Sequence, residues 1–395
     1  MSTLLAWLLG AIALLLMLPV VVLFAQVLSA CLPACALPRS CGARPRVAVL
    51  VPAHNESPVI RATLASIRPQ LLEGDRLLVV ADNCTDDTAA LARSAGAEVV
   101  ERQHGQLRGK GYALDFGVRH LQGDAPQVLI IIDADCQVAE GAIDRLAGSC
   151  ATLGRPVQAL YLMRAPAGAG LKVQVAEFAW RVKNLVRPRG WTRLGLPCQL
   201  MGAGMALPWH DLSLVDLANG HLVEDLKLGL DFCQRGKPPV FCADALVTSV
   251  FPSSQEGLST QRTRWEHGHL GVLLADAPKR VAAAFRQRNG ALLAMALDLM
   301  VPPLALLTLV WAALFVVSWL AGLLSGIWGP AVIASVAMVL LVVAVLLAWW
   351  RFSRELISFS VLLYAPFYAA RKIPLYLGFL IKRQVDWVRS KRDDS

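Results

Sequence analysis

Hydrophobic and polar positions divide the chain into three textures. From Leu4 to about Leu28 every position but a few is apolar and none is charged, a run long enough for one helix to cross a bilayer. Between residue 46 and about residue 250 the texture changes to short apolar runs alternating with stretches of helical period, the pattern of an α/β domain. Near Leu292 the chain turns oily again. Two more spans are predicted, at about 299–323 with Pro302-Pro303 near its start, and at about 330–350 after the uncharged turn Ser325-Gly326-Ile327-Trp328-Gly329. The stretch 356–381 is also apolar, but Arg371-Lys372 cut it into two pieces, each too short to span. Burying two cations in mid-membrane costs several kcal/mol, so an interfacial or re-entrant segment is expected there. The predicted organisation is a transmembrane helix at 1–30, an α/β domain at 46–250, interfacial helices at 251–298, two transmembrane helices at 299–350, and at 351–395 the interfacial or re-entrant segment and a basic tail carrying Trp387. Three spans are expected, with four as the alternative.

Composition agrees. With 56% hydrophobic and 17% charged residues, the chain is too apolar for an ordinary soluble enzyme. The formal charge of +9 suits loops that face anionic lipid, and secondly anionic substrates. Arg39, Arg44 and Arg46 follow the first span, and Arg351 and Arg354 follow the last. By the positive-inside rule the α/β domain is then cytoplasmic, on a multi-pass protein of the cell (inner or plasma) membrane. The first span reads as retained: Met1-Ser2-Thr3 lacks the basic residue of a signal peptide, which also weakens the lipoprotein-like box Leu28-Ser29-Ala30-Cys31. The segment 30–45, with Pro33, Pro38, Gly42 and Pro45, reads as a linker. Cys31, Cys35 and Cys41 lack CxxC spacing and the other cysteines are scattered, so all nine read as reduced thiols of a cytosolic domain.

Three apolar, strand-like runs in the α/β domain end in polar residues: Val47–Val51 in Pro52-Ala53-His54-Asn55-Glu56, Leu77–Val80 in Ala81-Asp82-Asn83, and Val128–Ile132 in Asp133-Ala134-Asp135. In an open parallel sheet ligands bind outside the carboxyl ends of the strands, so three such ends point to one shared site. Asp133 and Asp135 suit a hard cation, Mg²⁺ or Mn²⁺, completed by substrate phosphates; the competing reading is a solvated turn. Thr85 or Asp86 is placed to cap the next helix, which leaves Asp82 to accept hydrogen bonds from a base or ribose. Arg108-Gly109-Lys110-Gly111 at a helix start reads either as a phosphate contact or as a plain basic loop. Glu224-Asp225 divides evenly between a first-turn pair favoured by the helix dipole and a catalytic base. Downstream, Ser259 is placed to cap a helix on which Gln261, Arg264 and Trp265 share one face. An amide, a guanidinium and an indole suit a diphosphate and a stacked sugar better than lipid.

Taken in order, PAHNE, the Asp82 turn, GKGYAL, DAD, ED and QRTRW resemble membrane-integrated inverting glycosyltransferases of family 2. That group contains cellulose, chitin and hyaluronan synthases and bacterial exopolysaccharide transferases. The resemblance covers roughly residues 46–270. It implies a GT-A, Rossmann-like α/β domain flanked by transmembrane helices. His54 and Glu56 would line the nucleotide, Asp82 would contact uracil, and Lys110 would lie near the diphosphate. Asp133 and Asp135 would bind the metal and Asp225 would act as base, beside Glu224. Gln261, Arg264 and Trp265 would close over the diphosphate and border the acceptor. The partners implied are a UDP-sugar, a glycan or lipid-linked acceptor and the bilayer, in cell-surface or exopolysaccharide synthesis. Val223 departs from the Thr that often precedes the ED pair in the family. Other readings are a polyprenyl-phosphate glycosyltransferase, a nucleotidyltransferase, and a non-catalytic nucleotide-binding membrane or transport component. A nucleic-acid partner is not expected, because the basic residues form no long stripe. Glu266, His267 and His269 are left unassigned and read as supporting or surface residues, not as catalysts.

Overall fold

The structure is a computed structural model and describes residues 3–33, 37, 42–252 and 254–381. Cys35, Arg39, Cys41 and the basic tail with Trp387 lie outside the described residues, as does most of the expected linker's centre.

Helix α1 (Thr3–Ala30) leads into the α/β body. That body runs β1 (Val47–Ala53), α2 (Ile60–Ile67), β2 (Arg76–Asp82), α3 (Thr88–Ser94), β3 (Glu98–Arg102), α4 (Lys110–Leu121), β4 (Val128–Ile131), β5 (Gln137–Val138), α5 (Ala142–Leu153) and β6 (Val157–Arg164). It continues through α6 (Leu171–Arg181), α7 (Arg187–Arg193), β7 (Met205–Pro208), α8 (Glu224–Gln234) and β8 (Val240–Val250). Helices α9 (Gln255–Gln287), α10 (Gly290–Leu299), α11 (Leu304–Ser325), α12 (Gly329–Phe352), α13 (Phe359–Leu363), α14 (Ala365–Ala370) and α15 (Ile373–Ile381) complete it.

The strands form one eight-stranded sheet in the order β3-β2-β1-β4-β7-β6-β8-β5. β1, β2, β3 and β4 are mutually parallel, whereas β7 runs antiparallel to both β4 and β6. Continuous apolar strands such as VAVLV and VLII follow from burial on both faces. Val47, Val49 and Val51 point to the face covered by α2 and α5, while Ala48 and Leu50 point to the face covered by α4, the two-residue alternation of a strand. Because β1, β2 and β4 are parallel, their carboxyl ends, and with them His54, Asp82 and Asp133, lie along one edge.

Three helices are long and apolar enough to cross a membrane: Ala6–Ala30 within α1, then α11 and α12. The second starts at Leu304, not near residue 299 as expected. Pro302-Pro303 ends the preceding helix, since proline donates no N–H and disfavours helix in the residue before it. The segment 359–381 forms the short helices α13, α14 and α15 and no span. Lys372 pairs with Glu266 of α9 and lies 4.9 Å from the Tyr368 ring, and Arg371 lies 5.9 Å from that of Phe367.

The carboxyl end of α1 is clamped to the body. Arg187 donates to Asp298 Oδ1 at 2.8 Å and to Gln26 Oε1 at 3.1 Å, and Gln26 donates to the same Asp298 oxygen at 2.5 Å. Removing one member of such a buried set costs about 3–5 kcal/mol, because it strands a charge. Gly190 permits the approach: a Cβ there would lie 1.9 Å from the Gln26 backbone oxygen. Gly190→Ala should therefore lower the apparent Tm of the solubilised protein by several degrees, as overpacking of about 1–3 kcal/mol or more requires. Gly123→Ala, where a Cβ meets nothing within 4 Å, is the control; equal Tm values for the two would refute the close-packed docking.

Candidate active site

Above the carboxyl edge of the sheet lies a cleft of about 480 Å³. Its lining includes His54, Glu56, Asp82, Lys110, Asp133, Asp135, Glu224, Asp225, Gln261, Arg264 and Trp265. Every site residue expected from the sequence therefore meets in one cavity, although they come from widely separated segments.

At the β1 and β2 ends, His54 Nδ1 is 2.7 Å from the Asp82 backbone oxygen. Asp82 is less free than expected: Arg102, at the end of β3, donates to its Oδ1 at 2.5 Å, and Asn83 Nδ2 donates to the same oxygen at 3.0 Å. Strand β3 pairs Arg102 with Asp82 in register. The following helix is capped at Asp87, one residue later than expected and without a side-chain cap bond; Asp86 Oδ1, just before it, accepts from the Thr88 N–H at 3.1 Å.

Lys110, the first residue of α4, sits among acids rather than in a plain basic loop. Its ammonium pairs with Asp133, lies 3.6 Å from Glu224 Oε1, and donates to the Gly202 carbonyl at 2.9 Å. Burial works against its charge, but Asp133, Glu224 and Asp225 outweigh it and raise its pKa. Gly202 is the hub of this cluster. A Cβ there would lie 3.4 Å from Asp225 Oδ2, 3.5 Å from Lys110 Nζ and 3.8 Å from Asp133 Oδ2. Its φ of +89° also favours glycine.

Glu224 and Asp225 open α8, where no side chain caps the helix; Asp225 Oδ1 accepts from the Leu226 N–H at 2.9 Å. Val223, in the place of the family's frequent Thr, is buried, and a Cβ on Gly268 of α9 would lie 2.8 Å from it. Burial raises the pKa of Asp225, against Lys183 and Lys110. Burial, with Asp225 and Asp133 adding to it and Lys110 opposing, moves Glu224 from 4.5 to about 7. Between those values the folded chain holds a proton that the unfolded chain has released. Stability should therefore fall as pH rises through this window and level off above it. Apparent Tm measured across the window should show the decline, and Glu224→Gln should flatten it; an unchanged slope in the variant would reject the assignment.

Asp135 Oδ2 accepts from Ser249 Oγ at 3.0 Å. Among the described residues no three His, Cys, Asp or Glu side chains gather as a complete metal site. Two hard carboxylates on one strand end nevertheless fit Mg²⁺ or Mn²⁺, which take few protein ligands and fill the rest with water and substrate phosphate. The seven described cysteines are free thiols, and none belongs to the donor set.

Helix α9 brings the last elements. Its cap is Ser254, whose side chain accepts from the Gly257 N–H at 3.1 Å. Ser259 lies inside the helix, contrary to expectation, because the helix already starts at Gln255. Gln261 is buried, and its Oε1 has no hydrogen-bond partner among the described residues, as a group kept for a ligand would be. Glu266, His267 and His269 all have partners within the protein; Glu266 pairs with Lys372. His267 Nε2 lies 3.0 Å from the Leu375 oxygen, and His269 Nε2 lies 3.1 Å from that of Leu299. Burial, then Lys183 and Arg187, pushes His269 down to about 3, so it is neutral.

Sequence reasoning missed Arg102, Gly202, Ser249, Tyr161, Trp180 and Lys183. The Trp180 ring lies 4.8 Å from that of Trp265 and 5.6 Å from that of Tyr161. Lys183 enters the cleft from a π-helical turn, Val182–Val186, that follows α6. Such turns are rare and favour functional sites. The only signals available were the glycines of Met201-Gly202-Ala203-Gly204 and the Trp180/Lys183 spacing of three.

Comparison with known proteins fits this geometry. Residues 48–157 match Glycosyl transferase family 2, and residues 128–353 match Glycosyl transferase family group 2. Probable glycosyltransferase YdaM of Bacillus subtilis (strain 168) is 26% identical over 251 residues, 58% of this chain and 56% of that protein. The chain thus spans little more than half the length of that relative. An uncharacterized glycosyltransferase of Mycobacterium tuberculosis is 30% identical over 186 residues, 46% of this chain and 70% of that protein. The solved structure of the mannosyltransferase PcManGT from Pyrobaculum calidifontis, in complex with GDP-Man and Mn²⁺, superposes with a TM-score of 0.57 at 17% identity, covering 95% of this chain and 100% of that one. The shared fold is the mixed α/β, GT-A-like sheet.

Proposed function

The chain belongs to glycosyltransferase family 2, and from that premise we propose that it transfers a sugar, with inversion, from a UDP-sugar to a hydroxyl of a glycan or lipid-linked acceptor at the cytoplasmic face of the cell membrane. The observation that carries this reading is the convergence of the strand-end acids, the ED pair and the QRTRW face on one cleft. The product would serve cell-surface or exopolysaccharide synthesis.

In the proposed step the acceptor oxygen bonds to the anomeric carbon from the face opposite the diphosphate. Its proton passes to the Asp225 carboxylate. The bond from the anomeric carbon to the diphosphate oxygen breaks, and its electron pair leaves on the nucleoside diphosphate. Arg264 and Lys110 oppose the charge that develops there, usually the larger electrostatic contribution. His54, Glu56 and Asp82, the last held by Arg102, would hold the nucleoside. Gln261 and Trp265 would hold the sugar and acceptor. Asp133 and Asp135 would hold Mg²⁺ or Mn²⁺, which when bound adds positive charge against the diphosphate.

The organisation is proposed as read: a span at 1–30, the catalytic domain at 46–250, interfacial helices at 251–298, two spans at 299–350, and an interfacial or re-entrant segment with a basic cytoplasmic tail at 351–395. Its support is that the carboxyl ends of α1 and α12 both meet the α/β body: Arg189 donates to the Ala30 oxygen at 2.9 Å, and Arg181 donates to the Phe352 oxygen at 2.9 Å.

The test is to incubate the full chain with UDP- and GDP-sugars, with and without Mn²⁺, and to measure nucleoside diphosphate release and product size. Release from UDP-sugars that requires both Mn²⁺ and an acceptor is expected. Release from GDP-sugars alone would overturn the nucleotide assignment, and release from none would overturn the reading.

A further inference from the structure

A second cavity, of about 520 Å³, adjoins the cleft on its membrane side. This is a ligand-sized volume. Its walls come from α6, α11, α12 and α14, among them Val175, Phe178, Leu304, Thr308 and Leu341, and they are overwhelmingly apolar. α11 and α12 are two of the helices able to cross a membrane. The two cavities share Trp180, Lys183, Trp265 and His269.

Helix α9 is the dividing wall. Gln261 and Arg264 face the cleft, Arg262 and Glu266 face the chamber, and Trp265 and His269 line both. Spacings of three and four residues place these sets on adjoining faces of one helix. A molecule whose tail fills the chamber therefore presents its head to the cleft past the Trp180–Trp265 pair.

Charge narrows the identity of that head. Three charged groups of the chamber wall are already neutralised: Glu266 and Lys372 by each other, and Arg187 by Asp298. Lys183 and Arg262 have no carboxylate within salt-bridge distance among the described residues. Lys183 lies 5.3 Å from the Trp180 ring centre, and Arg262 lies 5.6 Å from that of Tyr368. Arg262 Nη2 is buried with no hydrogen-bond partner there. A buried guanidinium nitrogen left without an acceptor is costly, and a phosphate oxygen is the acceptor it matches best. A polysaccharide strand does not fit the chamber, because its hydroxyls would find few partners on these walls.

We infer that the acceptor is carried on a lipid phosphate, with its hydrocarbon tail in this chamber and its phosphate held by Arg262 and Lys183 where the chamber meets the cleft. This rests on the transferase reading and names its acceptor class. The sugar-transfer step is unchanged; only the anchor of the attacking oxygen is specified.

The test uses the full chain in phosphatidylcholine nanodiscs and a long-chain alkyl phosphate monoester with a photoactivatable diazirine in its tail. A phosphocholine ester with the same tail serves as the control probe. Mass spectrometry of the wild type should find the phosphate probe on α6, α11 and α12 at the chamber wall, and the control probe there only weakly. Arg262→Gln should weaken capture of the phosphate probe by about ten- to a hundredfold, and Thr308→Trp should block it sterically. UDP binding by each variant reports that the fold is kept. Equal labelling of the wild-type chamber by both probes would mean a structural bilayer lipid, and labelling confined to other surfaces would mean an empty or differently filled chamber; either overturns the inference. The assay needs no sugar nucleotide, so failure of the donor test leaves its readout intact. Conversely, a donor that is cleaved while both probes label equally sinks the lipid phosphate and spares the transferase.

Discussion

Asp225→Asn is expected to bind UDP-sugar about as well as the wild type and to transfer sugar roughly 10²–10⁴-fold more slowly, the usual worth of a positioned general base. The amide keeps the size of the carboxylate, and its oxygen can still accept from the Leu226 N–H, so the start of α8 should persist. What it loses is the ability to take a proton. Burial raises the pKa of Asp225, against Lys183 and Lys110. The acid limb of wild-type kcat against pH should therefore lie above the ordinary carboxylate range, with activity rising as pH rises and the base loses its proton. The variant's residual activity should lack that limb. Single-turnover transfer alongside UDP binding separates the two effects, and a variant turning over at the wild-type rate would remove Asp225 from the role of base.

Asp133→Ala and Asp135→Ala are expected to abolish the metal dependence of UDP binding and to slow transfer by roughly 10²–10³-fold, the scale seen when one electrostatic stabiliser of a transition state is removed. The two are not equivalent. Asp133 also pairs with Lys110, so its loss leaves that ammonium with Glu224 at 3.6 Å and the Gly202 carbonyl. Asp135 is held by Ser249, so Ser249→Ala should reproduce a small part of the Asp135 effect by letting the carboxylate turn. Titrating UDP against each variant with and without Mn²⁺ checks this. Wild-type affinity indifferent to Mn²⁺ would defeat the metal assignment outright.

Much of the site was legible because its signals are local. A carboxylate directly after a buried apolar run reads as a strand-end acid whatever the rest of the chain does, and Asp82, Asp133 and Asp135 were found that way. Residues three and four apart on a helix share a face in any context, which located Gln261, Arg264 and Trp265. The helices able to span were legible for the same reason: length and absence of charge are properties of the segment itself. Ser259 was misread because several hydroxyl residues precede α9, and local chemistry does not rank them.

The sequence alone thus determined three of the eight strands, the three helices apolar enough to span, the family resemblance and the residues to be sought at the cleft. Tertiary structure decided the rest. It put Arg102 on Asp82 across neighbouring strands, and it gathered Lys110, Asp133 and Asp225 around the space left by Gly202. It swung Lys183 into the cleft on a π turn, and it left Arg262 facing an apolar chamber built from α6, α11, α12 and α14. These pairings join residues far apart in the chain, and a sequence pattern of period two or 3.6 reports only neighbours. Which distant charges meet, and which stay unpaired, is fixed when packed helices and strands remove water between them and leave each buried polar group with the partners that packing supplies.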